Sequence, residues 1–321
     1  VQQLIGAKSE KAFDLALSHL EGTLSRKIGE FQQKLVAFAA ILEAWVDFPE
    51  DETSSASRQE MIANLGSLIQ EMHTLHQTFH DGRRVEQGIS LCIAGAPNVG
   101  KSSLLNALLE QERASVSAIP GTTRDLIEAD LTLGGVHFRL QDTAGIRKSE
   151  EVIEQEGISR SKKAMEKADL TLLLLDASRE LQQEDHLLLD TLAHERAIVV
   201  WNKIDLPAPK LHSLPHPHVV EISAKESLGL KELQDKINDV LWKEGAPATE
   251  EVLITSLRHK EALAGAIQGC ERALSAIREK LSPEFPASDI RNALQQLGSI
   301  IGTDVTEDIL SAIFSTFCIG K

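Results

Sequence analysis

The chain has little cysteine: three residues, Cys92, Cys270 and Cys318, lie far apart and without CxxC spacing. An odd, scattered set suits neither a disulfide framework nor a zinc site, and points to a reducing compartment. Also absent is any uncharged apolar run near the ~20 residues that a membrane-spanning helix requires. The opening stretch, "VQQLIGAKSEKAF", is polar and lacks the apolar core of a signal peptide. Positive charge is short as well, with 33 Lys and Arg against 48 Asp and Glu, for a formal net charge of −15. Affinity for phosphate backbones comes largely from Lys and Arg displacing counterions, so the balance argues against a broad nucleic-acid footprint. Any RNA contact must be local or made by a partner. These absences describe a cytoplasmic, soluble chain with no membrane partner.

What is present is an ordinary globular composition, 42% hydrophobic and 25% charged, which excludes disorder as the default. At 321 residues the chain is long enough for two domains. From Glu10 to Phe48, apolar residues recur at helical spacing, from Phe13, Leu17 and Leu20 through Ile28, Phe31 and Leu35 to Trp45. One long helix or a closely packed pair places them on a single core-facing stripe. Pro49 ends it, and a second helical segment runs from about Ser55 to Gly82.

At Ile89 the texture changes. "ISLCIAG", "LTLLLLDA", "AIVVWNKID" and "VVEISAK" are short apolar runs separated by helical patterns, as buried parallel strands with crossover helices read. "LIEADLTLGGVHFRLQD" is a hairpin turning at Gly134-Gly135. Helical texture returns after Pro247. Neither terminal third is large enough for a good core alone. The expected architecture is therefore a Ras-like α/β domain of mixed, mostly parallel sheet at residues 89–246, inserted into a discontinuous all-α domain made of residues 1–88 and 247–321.

"GAPNVGKS", Gly95 to Ser102, fits the P-loop pattern between a strand and the helical "SSLLNALLE". Its glycines let backbone N–H groups surround phosphate oxygens. Lys101 supplies charge to the β- and γ-phosphates, and Ser102 supplies a hydroxyl to Mg²⁺. Phosphate contacts are expected from Asn98, Val99, Gly100, Lys101, Ser102 and Ser103. "NKID" and "SAK" follow the next strands, at the carboxyl ends where such folds bind ligands. The Asp205 carboxylate can accept two hydrogen bonds from the N1–H and exocyclic amine of guanine, a donor pair that adenine lacks. Asn202 is expected to brace the loops, the stem of Lys203 to cover the base, and the Ala224 N–H, between Ser223 and Lys225, to meet guanine O6. In "DTAG", Asp142, Thr143, Ala144 and Gly145 supply a water-mediated Mg²⁺ contact and an N–H that senses the γ-phosphate. "PGTTRD" supplies a second Mg²⁺ hydroxyl, assigned to Thr123. Together these are the stations of a switch that binds GTP and GDP with Mg²⁺ and hydrolyses GTP.

A glutamine that often follows DxxG to orient the attacking water is replaced by Ile146. Either hydrolysis is negligible alone, or another residue and another cation take over. The Asn98 amide oxygen either binds a monovalent ion beside the phosphates or merely stabilises the loop.

"GAPNVGKSSLLNALL", "IPGTTRD", "DTAGIRKSEEVIEQEGI" and the terminal "FCIGK" resemble, over the whole chain, the MnmE (TrmE) family of GTPases of tRNA wobble-uridine modification. The resemblance implies a potassium ion held by Asn98, Ser117, Ile119 and Thr122, within the loop that runs through Ala118, Pro120 and Gly121. Potassium would promote homodimeric pairing of GTPase domains and stimulate hydrolysis, with Glu154 as the water-orienting acid. It implies a flavoprotein partner, MnmG (GidA), which carries most of the contact with tRNA, and a tetrahydrofolate derivative as one-carbon donor. The chain begins at what resembles the first helix after the family's amino-terminal folate-binding domain, so a fragment, or a chain in which that domain is not present, is expected. Two other readings stay open: a ribosome-assembly GTPase, and a prenylated membrane-recruitment switch or nucleotide-gated scaffold whose hydrolysis is incidental. Prenylation at Cys318 is disfavoured because Gly320 and Lys321 do not fit the box. Cys318 is then either a buried structural cysteine or, as the resemblance implies, a reactive or positioning thiol, with Lys321 offering its ammonium to folate.

Overall fold

The computed structural model describes residues 2–47, 55–111, 130–141, 154–207, 214–242, 247 and 251–302, with backbone alone for 2, 47, 55–57, 111, 154–160 and 194. The elements run α1 (Gln2–Ile5), α2 (Glu10–Leu20), α3 (Thr23–Asp47), α4 (Ser55–Gln77), α5 (Phe79–Gln87), β1 (Ile89–Ala94), α6 (Lys101–Gln111), β2 (Asp130–Leu133), β3 (Val136–Gln141), α7 (Glu154–Lys167), β4 (Leu170–Asp176), α8 (Gln183–Leu189), β5 (Ala197–Asn202), β6 (Val219–Glu221), α9 (Leu230–Leu241), α10 (Leu257–Arg278) and α11 (Glu284–Ile301). The chain divides into two compact units. One comprises residues 1–4, 14–86 and 250–321, and the other residues 5–13 and 87–249. Among the described residues, no helix is long and apolar enough to cross a membrane.

The α/β unit is built on a six-stranded sheet of order β2-β3-β1-β4-β5-β6. Strands β3, β1, β4, β5 and β6 are parallel, and β2 is antiparallel to β3. Every residue of β1, β4 and β5 is buried, which is why those strands read as unbroken apolar runs. The β2–β3 turn has φ of 57° at Gly134 and 76° at Gly135, the left-handed pair that a tight hairpin requires. Chain order reverses at β1, between β3 and β4, so its carboxyl end is the switch point at which open α/β sheets bind ligands. One sheet face packs Cys92, Leu173, Leu175 and Val199 against Met165 of α7 and Leu188 of α8. Cys92 is thus a core side chain.

The helical unit draws its core from both ends of the sequence. Ile28, Phe31, Leu35 of α3 and Leu65, Met72 of α4 share one apolar cluster with Leu263, Cys270 of α10 and Ile290, Leu294 of α11. Full burial of such a side chain contributes about 1.5–3 kcal/mol, so the two halves stabilise each other. Burial, aided by nearby Glu271 and Asp289, pushes the Cys270 thiol up to about 12, which makes it inert.

Two sequence expectations need correction here. The stripe that begins at Phe13 does not run into the core from its first residues: Phe13, Leu17 and Leu20 are 47%, 38% and 56% exposed, whereas α2 buries Ala12, Leu15 and Ala16. The chain turns at Gly22, with φ of 78°, and the buried stripe starts only with Leu24 of α3. Residues 5–13 also leave the helical unit for the α/β unit, where Lys8 pairs with Asp130 at 2.9 Å on the β2–β3 hairpin. The helical segment from Ser55 to Gly82 falls on two helices, α4 and α5. It breaks at Thr78, whose hydroxyl donates to Leu75 O at 2.8 Å and accepts the Ile254 N–H at 3.1 Å.

Candidate nucleotide-binding site

Strand β1 delivers the chain into the loop Gly95–Gly100, and α6 begins at Lys101. A side chain at Gly95 would place a Cβ 2.5 Å from Leu174 O, and one at Gly100 would overlap the Asn202 amide. Their φ values of 147° and 101° also suit glycine. Between them Val99 is fully buried and anchors the loop, while Pro97 and Asn98 are exposed. Asn98 has φ of 61°, and asparagine is among the non-glycine residues that enter this left-handed region most readily. That supplies a backbone reason for Asn98, independent of any ion.

Lys101 donates to Gly95 O and Ala96 O, both at 2.8 Å, so its ammonium closes across the loop that it serves. Burial lowers its proton affinity, as expected for a cation withdrawn from water. Ser102 and Ser103 are exposed in the first turn of α6, at the positive end of the helix dipole, where anions are favoured. A lysine ammonium, a serine hydroxyl and a helix start at one loop fit a magnesium-bound polyphosphate. Among the described residues no group of three or more His, Cys, Asp or Glu is placed to hold a metal ion. The ligands expected here are mainly hydroxyl and phosphate oxygens.

Strands β5 and β6 carry the NKID and SAK loops, which are expected to read the base. Asn202, 2% exposed at the end of β5, donates from Nδ2 to Val99 O at 2.8 Å and accepts the Ala224 N–H on Oδ1 at 2.9 Å. One side chain therefore ties the P-loop to the SAK loop. The Ala224 N–H, expected to be available to guanine O6, is engaged by Asn202 in this structure. Asp205 is exposed, and Oδ1 accepts the hydroxyl of fully buried Ser223 at 2.6 Å. Ser223 thereby fixes the plane of the carboxylate and accepts the Glu226 N–H at 3.2 Å. Lys225 is largely exposed and lies 3.4 Å from Glu226.

The sequence reading missed Asp176. It ends β4, pairs in register with Asn202, and accepts Lys203 Nζ on Oδ2 at 2.6 Å. Burial alone would raise its pKa, but bonds from Lys203 and Ser178 outweigh this and hold the carboxyl below its ordinary range. The one available signal was an aspartate closing the apolar run "LTLLLLD". Glu154 opens α7, but its side chain lies outside the described residues. Ser117 to Thr123, Asp142 to Gly145, Cys318 and Lys321 also lie outside them.

A phosphate loop at the switch point, joined by one buried asparagine to guanine-type loops on the next strands, defines the P-loop GTPase class of fold. The particular family follows from comparison: residues 1–318 match the family described as the MnmE helical domain, and the chain belongs to the MnmE family. It is 52% identical over its full length to the tRNA modification GTPase MnmE of Protochlamydia amoebophila, covering 70% of that protein. It is 40% identical, again over its full length and covering 71%, to the tRNA modification GTPase MnmE of Alkaliphilus oremlandii. Among solved structures, the G domain of the T. maritima FeoB iron transporter aligns at 28% identity with a TM-score of 0.34, over 47% of this chain and 98% of that one.

Proposed function

We propose that this chain is a GTPase acting in tRNA modification, and that potassium-promoted pairing of its α/β units drives addition of an aminomethyl or carboxymethylaminomethyl group at carbon 5 of the wobble uridine. The observation that carries the nucleotide part is the Asn202 bridge, which holds the phosphate loop and the base-reading loop in one frame. Lys101 neutralises charge on the β- and γ-phosphates, and Ser102 is a ligand to Mg²⁺, with Thr123 and Asp142 as the remaining candidates. Asp205, oriented by Ser223, selects guanine because a base without the paired donors leaves its carboxylate unsatisfied; such sites discriminate by about 10⁴-fold or more. Mg²⁺, when bound, offsets charge on the phosphates. Potassium against Asn98, Ser117, Ile119 and Thr122 would do so where charge develops, in place of an arginine. Glu154 is assigned to orient the attacking water by resemblance to the family, since the position after DxxG is Ile146.

The finer assignments follow the family: a MnmG-type flavoprotein partner, which bears most of the tRNA contact, a tetrahydrofolate derivative as one-carbon source, and a tail bearing Cys318 and Lys321 that serves the folate chemistry. The net charge of −15 supports that division of labour. The test is GTP turnover in KCl and in NaCl for the wild type and Glu154→Ala, beside an assay of wobble-uridine modification in cells lacking the protein. Faster turnover in KCl, a loss of about 10²-fold or more in Glu154→Ala, and unmodified uridine are expected. Equal rates in both salts, or an unaffected variant, would remove the catalytic scheme; normal modification in the deleted strain would remove the pathway.

A further inference from the structure

We infer that Asp176 is a positioning residue for guanine-nucleotide affinity, acting through Lys203. The inference rests on the reading of this edge of the sheet as a nucleotide site. Lys203 follows Asn202 directly and adopts φ of 68°, a left-handed conformation that lysine rarely enters. A lysine stem in an exposed turn has many rotamers, and a stem that must lie flat on a base loses that freedom on binding. Asp176 removes much of it beforehand. Its Oδ2 accepts Lys203 Nζ at 2.6 Å, fixing the far end of the stem while the backbone turn fixes the near end.

The carboxylate is itself held firmly. Asp176 is 7% exposed, its Oδ1 accepts the Ser178 hydroxyl at 2.6 Å and the Ser178 N–H at 3.0 Å, and the Ala177 N–H donates to Asn202 O at 2.8 Å. Behind it, Arg179 Nε lies 3.9 Å from Oδ2 while Arg179 Nη1 donates to Asp185 Oδ2 at 2.9 Å. Asp185 is fully buried in the first turn of α8 and also accepts the Gln182 N–H at 2.9 Å. A chain of polar contacts thus runs from the base-covering lysine through two buried aspartates to a helix start. The arrangement preorganises Lys203 before any nucleotide arrives. No contact between Asp176 and nucleotide is required.

A purely structural Asp176 would predict something different, so the two are separable by a double-mutant cycle. Dissociation constants for N-methylanthraniloyl-GDP are measured by fluorescence in the wild type, Asp176→Asn, Lys203→Met and the double variant, with KM and kcat for GTP alongside. Asn at 176 keeps the size and an acceptor for Ser178 but turns the second position into a donor facing the ammonium. Met at 203 keeps an apolar stem and loses the charge, leaving the Ser178 bonds to Asp176 in place. Each single change is expected to weaken GDP binding by about 10-fold, with the double variant no weaker than the worse single. The loss should appear as a raised KM at near-constant kcat. Should Asp176→Asn lack a cooperative thermal transition, Ser178→Ala loosens the same carboxylate. It is expected to weaken GDP by roughly 2–5-fold in the wild type and not at all beside Lys203→Met. Wild-type-like binding in both Asp176→Asn and Ser178→Ala overturns the inference, as do effects that multiply in the double variants or a fall confined to kcat. A wild type that fails to bind the GDP probe overturns instead the nucleotide reading beneath it.

Discussion

The two units are held together by different means. In the helical unit the buried side chains are almost all apolar, with only Gln32 and Thr255 as buried polar residues among those described. In the α/β unit Ser90, His137, Thr171, Asp176, Asp185, Asn202 and Ser223 are buried, and Asp176, Asn202 and Ser223 lie at or just past the carboxyl ends of β4, β5 and β6. Apolar contact is non-directional and tolerates small shifts, whereas a buried amide or carboxylate is stable only with its partners in place. The helical unit therefore buys bulk stability, and the α/β unit adds to it a set of directional constraints at the carboxyl ends of β4, β5 and β6. Variants of equal size should behave differently in the two units, with affinity tracking the polar edge and stability alone tracking the helical core.

The largest separation is expected from Asn202→Ala. It removes two hydrogen bonds and strands the Val99 carbonyl and the Ala224 N–H where water does not reach. Each unsatisfied group costs about 1–3 kcal/mol, and both belong to loops that must hold their shape for nucleotide. GDP affinity measured by calorimetry should fall by about 100-fold or more, together with the melting transition that GDP normally raises. Binding within threefold of wild type would mean that the bridge does not organise the site.

A matched change in the helical core is Gly269→Ala on α10. Its Cβ would lie 3.0 Å from Asp289 O and 3.2 Å from the Ala293 Cβ of α11. Alanine is the better helix former by about 1 kcal/mol, but a backbone carbonyl in a packed helix pair cannot step aside cheaply, and overpacking of this kind costs about 1–3 kcal/mol. The net expectation is a loss near 1 kcal/mol, read as a drop of roughly 2–4 °C in the transition that GDP does not shift. GDP affinity should stay at the wild-type value. A fall in affinity as large as that in Asn202→Ala would erase the contrast between the units.

The contrast also explains what was legible beforehand. Four of the parallel strands, the hairpin and the P-loop were readable because continuous apolar runs, a Gly-Gly turn and a glycine-lysine spacing each have few physical solutions. Asp176 was not, since an aspartate ending a strand looks like any turn residue until the neighbouring strand sets Lys203 beside it. The α2 stripe failed for the opposite reason. Periodicity reports that Phe13, Leu17 and Leu20 share a face, but it contains no information on whether anything packs against that face. The pattern left open whether Glu10 to Phe48 was one helix or a pair, and the positions of the breaks at Gly22 and Thr78 were hidden because the apolar pattern continues across both.

The smallest effect sharpens the comparison through pH. His137 on β3 is 3% exposed, with Nε2 3.3 Å from Asp130 Oδ1 and with Lys8 and Arg139 also facing it. Burial holds its pKa below the ordinary value near 6.5, against the pull of Asp130 and with the help of Lys8 and Arg139. The folded state thus prefers the neutral ring. Its contribution is present above about pH 6.5 and is lost as pH falls toward the depressed folded value, because the unfolded chain takes up the proton first. For one proton the slope cannot exceed about 1.4 kcal/mol per pH unit. Asp176, a carboxylate held low, loses its contribution only in a more acidic window, below roughly pH 4. Melting between about pH 7 and 5 should therefore lower the GDP-sensitive transition in the wild type and lower it less in His137→Gln. If the slope is the same in both proteins, another group carries it and His137 does not.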